Sequence, residues 1–262
     1  MPIEACKILN HHAITDTVYR LVFSSERLAR DSHPGQFLHI KVLDAIDPLL
    51  RRPFSVHRVS REANTVELLY RVVGHGTQIL SRKRPGESLD VMGPLGNGFD
   101  LDAPFDHALI VAGGMGGAPV FFLIDTLLSL RKRVTLMWGV GDGREIYGIE
   151  PFQKQGVDVQ VTTEDGSVGR KGLVTDLLVP FLAKEKDNPN LCGFVCGPEC
   201  MLQPAQKLAV KTAFPWQASL EERMACGVGV CRGCGIYIQD QGMKMVCDDG
   251  PVFNLKEIEF ET

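Results

Sequence analysis

The chain has 262 residues, 44% of them apolar and 23% charged, with a formal net charge of −4. That length holds two globular domains and a small appendage. The basic runs at Arg51-Arg52, Arg82-Lys83-Arg84 and Arg131-Lys132-Arg133 are scattered, without the one-sided stripe of a nucleic-acid binder.

The first residues carry no cationic region followed by an apolar core, so no signal peptide is expected. Residues 108–124 are uncharged, but the stretch is short for a membrane span and is interrupted by glycines and a proline. A cytoplasmic protein is expected, in which eight cysteines stay reduced and serve metal or redox chemistry.

Up to about residue 100 the apolar pattern has period two. "TVYRLVFSS", "QFLHIKVL", "TVELLYRVV" and "ESLDVMG" read as short strands, punctuated by Pro34-Gly35, Asp47-Pro48, Pro85-Gly86 and Gly93-Pro94. Short strands at regular spacing predict a small antiparallel β-barrel. Within it stands "RRPFSV", residues 51–56, which alone reads equally well as a turn. Further on, "YRVVGHGTQIL" runs a strand into Gly74-His75-Gly76-Thr77 and a short helix, with Thr77 expected at the N-cap. Glycines before a helix start expose backbone N–H groups to an anion, and Arg52 supplies the second side of a pyrophosphate clamp.

After Asp106 the texture changes. "HALIVAGG" is a continuous apolar run, as in a strand buried on both faces. Helix and strand then alternate through "APVFFLIDTLLSLRK", "RVTLMWGV", "VDVQVTTED", "LVTDLLVPFLAK", "LCGFVCG" and "PECMLQPAQKLAVKT", which predicts a parallel α/β sheet. "VAGGMGGAPV" offers Gly113, Gly114 and Gly116, but Pro119 stands where a dinucleotide fingerprint has its third glycine. "CGPECM", from Cys196, Gly197 and Pro198 onward, follows the last strand, where open α/β sheets bind ligands. A tight turn serving the fold alone remains the alternative for each. Cys192, Cys196 and Cys200 are expected to point apart rather than form a second metal site.

From about Ser219 the chain is rich in glycine and cysteine, with two short β runs, "GIYIQ" and "MKMVC". Cys226, Cys231 and Cys234 have C-x4-C-x2-C spacing, and Cys247 follows at the end of the second run. This is the plant-type [2Fe–2S] spacing, whereas structural zinc takes two close pairs. A [2Fe–2S] rhomb is wide, so one loop wraps it, and Gly227, Gly229, Gly233 and Gly235 permit the wrapping. Zinc remains the alternative.

Together these segments resemble the ferredoxin–NADP reductase superfamily. Arg52-Pro53-Phe54-Ser55 is similar to its R-x-[FY]-[ST] flavin motif, and Gly76-Thr77 to its phosphate turn. Gly113-Gly114-x-Gly116 and Cys196-Gly197-Pro198 are similar to its pyridine-nucleotide half. With "SLEERMACGVGVCRGCG" and "DGPVF", residues 5–255 resemble the electron-transfer subunits of class 1B dihydroorotate dehydrogenases.

The resemblance implies an α+β multidomain chain with three parts. Residues 1–102 would form an FAD-binding β-barrel, 103–218 an NAD-binding α/β domain, and 219–262 a small [2Fe–2S] domain. It implies FAD contacts from Arg52, Pro53, Phe54, Ser55, Leu69, Tyr70, Arg71, Gly76 and Thr77, with Ser55 near the flavin's reactive edge. NAD contacts would come from Gly113, Gly114, Gly116, Cys196, Gly197 and Pro198, and cluster ligation from Cys226, Cys231, Cys234 and Cys247. Gly117 departs from the bulkier aliphatic residue expected after Gly116.

The implied partner is an FMN-containing dihydroorotate dehydrogenase catalytic subunit of pyrimidine biosynthesis, in a heterotetramer of two of each subunit. No nucleic acid and no membrane are implied. The cofactor set has its own logic: NADH delivers two electrons as hydride, a cluster accepts one, and a flavin converts between them. Two other readings stay open here. One is the flavin/iron–sulfur subunit of an NAD(P)H–ferredoxin oxidoreductase, sulfide dehydrogenase or hydrogenase. The other is a zinc-stabilised nucleotide-binding regulator.

Overall fold

The computed structural model describes residues 2–260, so the expected outermost residues 1, 261 and 262 lie outside it. The first part comprises β1 (Ile3–Ala13), β2 (Val18–Ser24), α1 (Glu26–Asp31), β3 (Phe37–Lys41), β4 (Arg52–Ser55), β5 (Arg58–Ser60), β6 (Thr65–Arg71), α2 (His75–Ser81) and β7 (Ser88–Leu95). Its strands form one antiparallel sheet in the order β4-β3-β7-β1-β2-β6-β5. The sheet is a half-barrel, with β4 and β5 at its two ends. Strand β7 shows why it curls around a core: Leu89, Val91 and Leu95 alternate inward, buried, with half-exposed neighbours.

The second part comprises β8 (His107–Gly113), α3 (Gly117–Ser129), β9 (Arg133–Val140), α4 (Glu150–Lys154), β10 (Asp158–Thr163), β11 (Arg170–Lys171), α5 (Thr175–Glu185), β12 (Leu191–Cys196), α6 (Glu199–Ala209) and β13 (Trp216–Ser219). The chain ends with the hairpin β14 (Gly235–Ile238) and β15 (Gly242–Met245), then β16 (Val252–Asn254) and β17 (Ile258–Glu259). The second sheet has the order β11-β10-β9-β8-β12-β13-β16, parallel except for β16. All residues of β8 are buried, as its central place between β9 and β12 demands. The direction of winding reverses there, leaving a crevice at the strand ends between β8 and β12.

Strand β16 brings the chain back from the cysteine segment to the α/β sheet. The same return reaches the half-barrel, where Asn97 Nδ2 donates to the Asp248 and Asp249 carbonyls at 3.0 Å each. Across the other junction, His57 Nδ1 donates to the Ala118 carbonyl (2.6 Å) and Arg58 pairs with Asp125 (2.8 Å).

Three local details differ from the sequence expectation. Strands β1, β5, β11, β13, β16 and β17 and helices α1 and α4 have no counterpart in that expectation. Helix α2 begins at His75 with Gly74 as its N-cap, so Thr77 sits one turn inside and its hydroxyl accepts the Val73 and Gly74 N–H groups (2.9 and 3.1 Å). Cys247 stands two residues beyond the end of β15 rather than within it. Among the described residues no helix is long and apolar enough to cross a membrane.

Candidate functional site

A cavity of about 460 Å³ opens where the three parts meet. Strand β4 contributes Arg52, Pro53, Phe54 and Ser55; β6 contributes Leu69, Tyr70 and Arg71; α2 contributes Thr77. The far wall is Met115, Ala118 and Pro119, around the start of α3. The floor comes from the segment leading to the cysteines, with Leu220, Glu221, Glu222 and Met224, closed by Pro251. The sequence reading picked out the first wall and missed the other two.

The first wall is braced by ring contacts and hydrogen bonds. Phe54 packs edge-on against Tyr70 (5.4 Å between centroids), and Tyr19 stacks on Tyr70's ring at 5.8 Å. His11 Nδ1 lies 2.8 Å from the Lys83 carbonyl, to which it must donate, so Nε2 accepts from the Tyr70 hydroxyl at 2.9 Å. Burial drives the Tyr70 phenol far above its ordinary pKa, leaving a neutral donor beside the cavity.

Charge is concentrated at the cavity's rim. Gly76 lies against Arg52: a Cβ there would come within 2.6 Å of the Arg52 Nε. The two halves of the expected phosphate clamp are therefore adjacent. Arg71 pairs with Glu145 at 2.5 Å, while its own Nε is buried without a partner. Glu221 keeps an exposed face, yet desolvation on its other sides raises its carboxyl pKa.

The glycine loop and the Cys-Gly-Pro turn flank the crevice and press on each other. A Cβ on Gly116 would run into the Cys196 carbonyl, and one on Gly113 into Met201 and Pro198. One on Gly197 would meet Met201 as well. Gly114, at φ +52°, faces open space. The Cys196 thiol is buried in the core, whereas Cys200 is exposed, so those two do point apart. Gly117, the departure from the expected aliphatic residue, has a physical partner. A Cβ there would strike the ring of Trp138, whose indole N–H donates to the Gly114 carbonyl at 3.1 Å.

The four C-terminal thiols gather as two pairs. Cys234 and Cys247 sulfurs are 3.3 Å apart, and both residues are buried. The Cys226 sulfur faces the Cys231 thiol and accepts N–H groups from Val228 and Cys231, each at 3.4 Å. Gly229 N–H donates to the Cys247 sulfur at 3.1 Å. Left-handed turns at Gly227 (φ +71°) and Gly229 (φ +76°) aim these amides inward. Burial pushes the Cys226 thiol up, but the amide donors of Cys231 and Val228 outweigh it and bring it to about 7. Cys247, more deeply buried and beside the Cys234 thiol, is pushed up to about 12. Among the described residues, no group of three or more His, Cys, Asp or Glu side chains closes around a single metal ion. Two thiol pairs fit a two-iron rhomb, one pair to each iron, better than one tetrahedral zinc.

Under this loop lies His39 of β3, fully buried, its ring against Gly227. Burial and then the Arg51 charge hold it neutral, with a pKa lowered to about 4. Local pattern hides it, because His39 falls on the outward face of an alternating strand and the Gly227 loop that covers it lies nearly 190 positions away.

Comparison with known proteins agrees with this layout. Residues 5–99 match the family described as the oxidoreductase FAD-binding domain. Residues 221–259 match the iron-sulfur cluster binding domain of dihydroorotate dehydrogenase B. The electron transfer subunit of dihydroorotate dehydrogenase B (NAD(+)) from Desulforamulus reducens is 38% identical over 258 residues, covering 97% of each chain. The corresponding subunit from Geobacillus sp. (strain WCH70) is 38% identical over 262 residues, covering 97% of this chain and 98% of its own. Among solved structures, the NADH-dependent reduced ferredoxin-NADP oxidoreductase superposes with a TM-score of 0.85 at 27% identity, covering 97% of this chain and 89% of that one. A ferredoxin reductase in carbazole 1,9a-dioxygenase shares the fold at 17% identity, with a TM-score of 0.68 over 82% of this chain and 68% of its own.

Proposed function

The chain belongs to the family of electron transfer subunits of dihydroorotate dehydrogenase B, and from that premise we propose that it passes electrons between NAD(H), FAD and a [2Fe–2S] cluster, to or from an FMN-containing dihydroorotate dehydrogenase catalytic subunit. When bound, FAD exchanges two electrons with the nicotinamide as hydride and single electrons with the cluster. The observation that carries this reading is the cavity itself, which the β4 motif, the glycine-loop helix and the segment leading to Cys226 build together.

The residues have separate tasks. Arg52 and the Gly76-Thr77 turn would hold the flavin phosphates; Phe54 and Tyr70 brace the wall, with Pro53, Leu69 and Arg71 beside them; Ser55 would serve the flavin's reactive edge. Gly113, Gly114 and Gly116, with Cys196, Gly197 and Pro198, keep side chains out of the crevice so that NAD approaches backbone. Trp138 fills the space that Gly117 leaves. Cys226 with Cys231, and Cys234 with Cys247, would hold the two irons of the cluster. We divide the chain at 1–102, 103–218 and 219–262 for these three roles.

The same reading places the protein in the cytoplasm, in a heterotetramer of two copies of each subunit. Exposed apolar side chains suit the partner. Ile46, Leu49 and Val230 are 87%, 71% and 80% exposed, and residues 47–53, the loop before β4 and its first two residues, line a second cavity with Glu222, Arg223 and Met224, the residues that lead into the cluster.

One purified sample tests the assignment. It should contain FAD, iron and acid-labile sulfide, its visible absorption should bleach on adding NADH, and co-expression with the FMN subunit should yield a stable complex that oxidises dihydroorotate with NAD+. A colourless protein with one zinc and no sulfide would overturn it.

A further inference from the structure

His39 has an unusual place in the half-barrel. In the β3–β4 ladder it stands opposite Pro53 of the flavin strand, and its ring lies beneath Gly227 of the cysteine loop. An ideal Cβ on Gly227 would be 2.5 Å from His39 Nδ1. The side chain is completely buried, yet neither ring nitrogen has a hydrogen-bond partner. The backbone carbonyls of Arg51, in the approach to the flavin strand, and Cys226, in the cysteine loop, face it closely enough to act on its protonation as acceptors, yet neither meets the distance and angle of a formed hydrogen bond. Buried polar groups left in this state are rare and costly, so the ring is poised for an acceptor that moves onto it.

We propose that His39 is the positioning residue of the cluster loop: its N–H closes onto the Cys226 carbonyl when the four thiols hold their cluster, and so ties that loop to β3, the strand paired with flavin-bearing β4. This rests on the iron–sulfur reading above. The consequence follows the chain by one and two residues. The Cys226–Gly227 peptide precedes the left-handed turn that aims the Val228 and Gly229 amides at the Cys226 and Cys247 sulfurs. Amide N–H···S bonds stabilise the more negative, reduced cluster more than the oxidised one. A tether that holds the turn therefore holds the cluster's potential up.

The test uses the whole protein with its cofactors and compares His39→Leu, which removes both nitrogens, with His39→Gln, which retains an N–H donor. Iron, sulfide and flavin contents are measured, then the cluster's midpoint potential by EPR-monitored titration. The wild type and His39→Gln should share one potential. His39→Leu, with equal iron and flavin, should be harder to reduce by roughly tenfold in the reduction equilibrium, about 59 mV for a one-electron couple. An unchanged potential in His39→Leu overturns the tether, as does an equal shift in both variants, which would make the effect one of volume. If His39→Leu retains no cluster, His39→Gln decides alone: the wild-type potential supports the tether, and a shifted potential or an empty site overturns it. Wild-type protein without iron and sulfide would overturn the cluster assignment together with the tether.

Discussion

The cavity between the three parts and the cysteine loop are built by opposite means. The cavity's first wall is regular structure, two strands and a helix whose inner faces belong to a core containing Leu38, Val66 and Leu68, all fully buried. Residues 220–234 have no strand or helix. Their shape depends on two left-handed glycines and on N–H groups that have sulfurs for acceptors. The cavity exists because the protein is folded, whereas the loop needs metal–thiolate bonds to complete it.

The largest test of that contrast is Cys231→Ser, or removal of iron by chelation. The visible cluster spectrum and electron export should be lost entirely, and backbone amides in 220–234 should lose protection in hydrogen exchange. Amides of β6 and β7 should keep theirs, and NADH should still bleach the retained flavin. Loss of flavin in the same sample would mean that the two sites are one folding unit, and export surviving the substitution would take the cluster off the path.

Acid provides the next largest effect and acts on the cavity side. His57, between β4 and β5, is 3% exposed, donates to the Ala118 carbonyl and is faced by Glu67 (3.5 Å), Arg58 and Arg20. Burial outweighs the Glu67 charge and lowers its pKa to about 4. The unfolded chain, with an ordinary histidine near 6.5, then binds the extra proton first. Stability from this group is complete above about 6.5 and is lost as pH falls from there through about 4, on the order of 3 kcal/mol in total. Melting temperatures from pH 7 to 5 should fall for the wild type and fall less steeply for His57→Leu. Parallel slopes would show that His57 does not carry the acid response.

How much of this was legible in the sequence follows from the same contrast. Strands such as β8 and β9 were plain because burial on both faces leaves a continuous apolar run. The thiol set was plain because spacing along the chain is the signal. Strand β1 was hidden by its register shift between Ile8 and Asn10, which breaks the period of two. The N-cap of α2 was misplaced because a glycine has no side chain to announce it, and Thr77 does the capping from inside the helix. The Glu221, Met224 and Pro251 surface depends on β16 returning to pair with β13, a contact no local pattern encodes. Gly117 stood out as a departure, but only the fold places Trp138 over it.

Arg52→Ala comes third. If the guanidinium and the Gly76-Thr77 turn clamp the flavin phosphates, its loss should weaken FAD retention by about 1.5–3 kcal/mol, the range for a hydrogen bond to a charged group. The iron content should not change. Flavin content after dialysis measures it, and retention equal to wild type would remove Arg52 from the clamp.

The smallest effect belongs to the ion pair that joins β6 of the half-barrel to the turn after β9, Arg71 with Glu145. Its side chains are 36% and 28% exposed, so solvent screens the attraction, and such pairs contribute about 0–1 kcal/mol. If burial rather than surface charge holds the cavity open, Glu145→Gln should leave the melting temperature nearly unchanged. Flavin retention should rise slightly at low ionic strength, because the Arg71 charge is no longer neutralised beside a phosphate-bearing ligand. That gain should vanish in high salt, where the Debye length falls to about 3 Å at 1 M. A large loss of stability, insensitive to salt, would show instead that the junction depends on this pair, and the cavity would then resemble the cysteine loop in needing a particular bond to keep its shape.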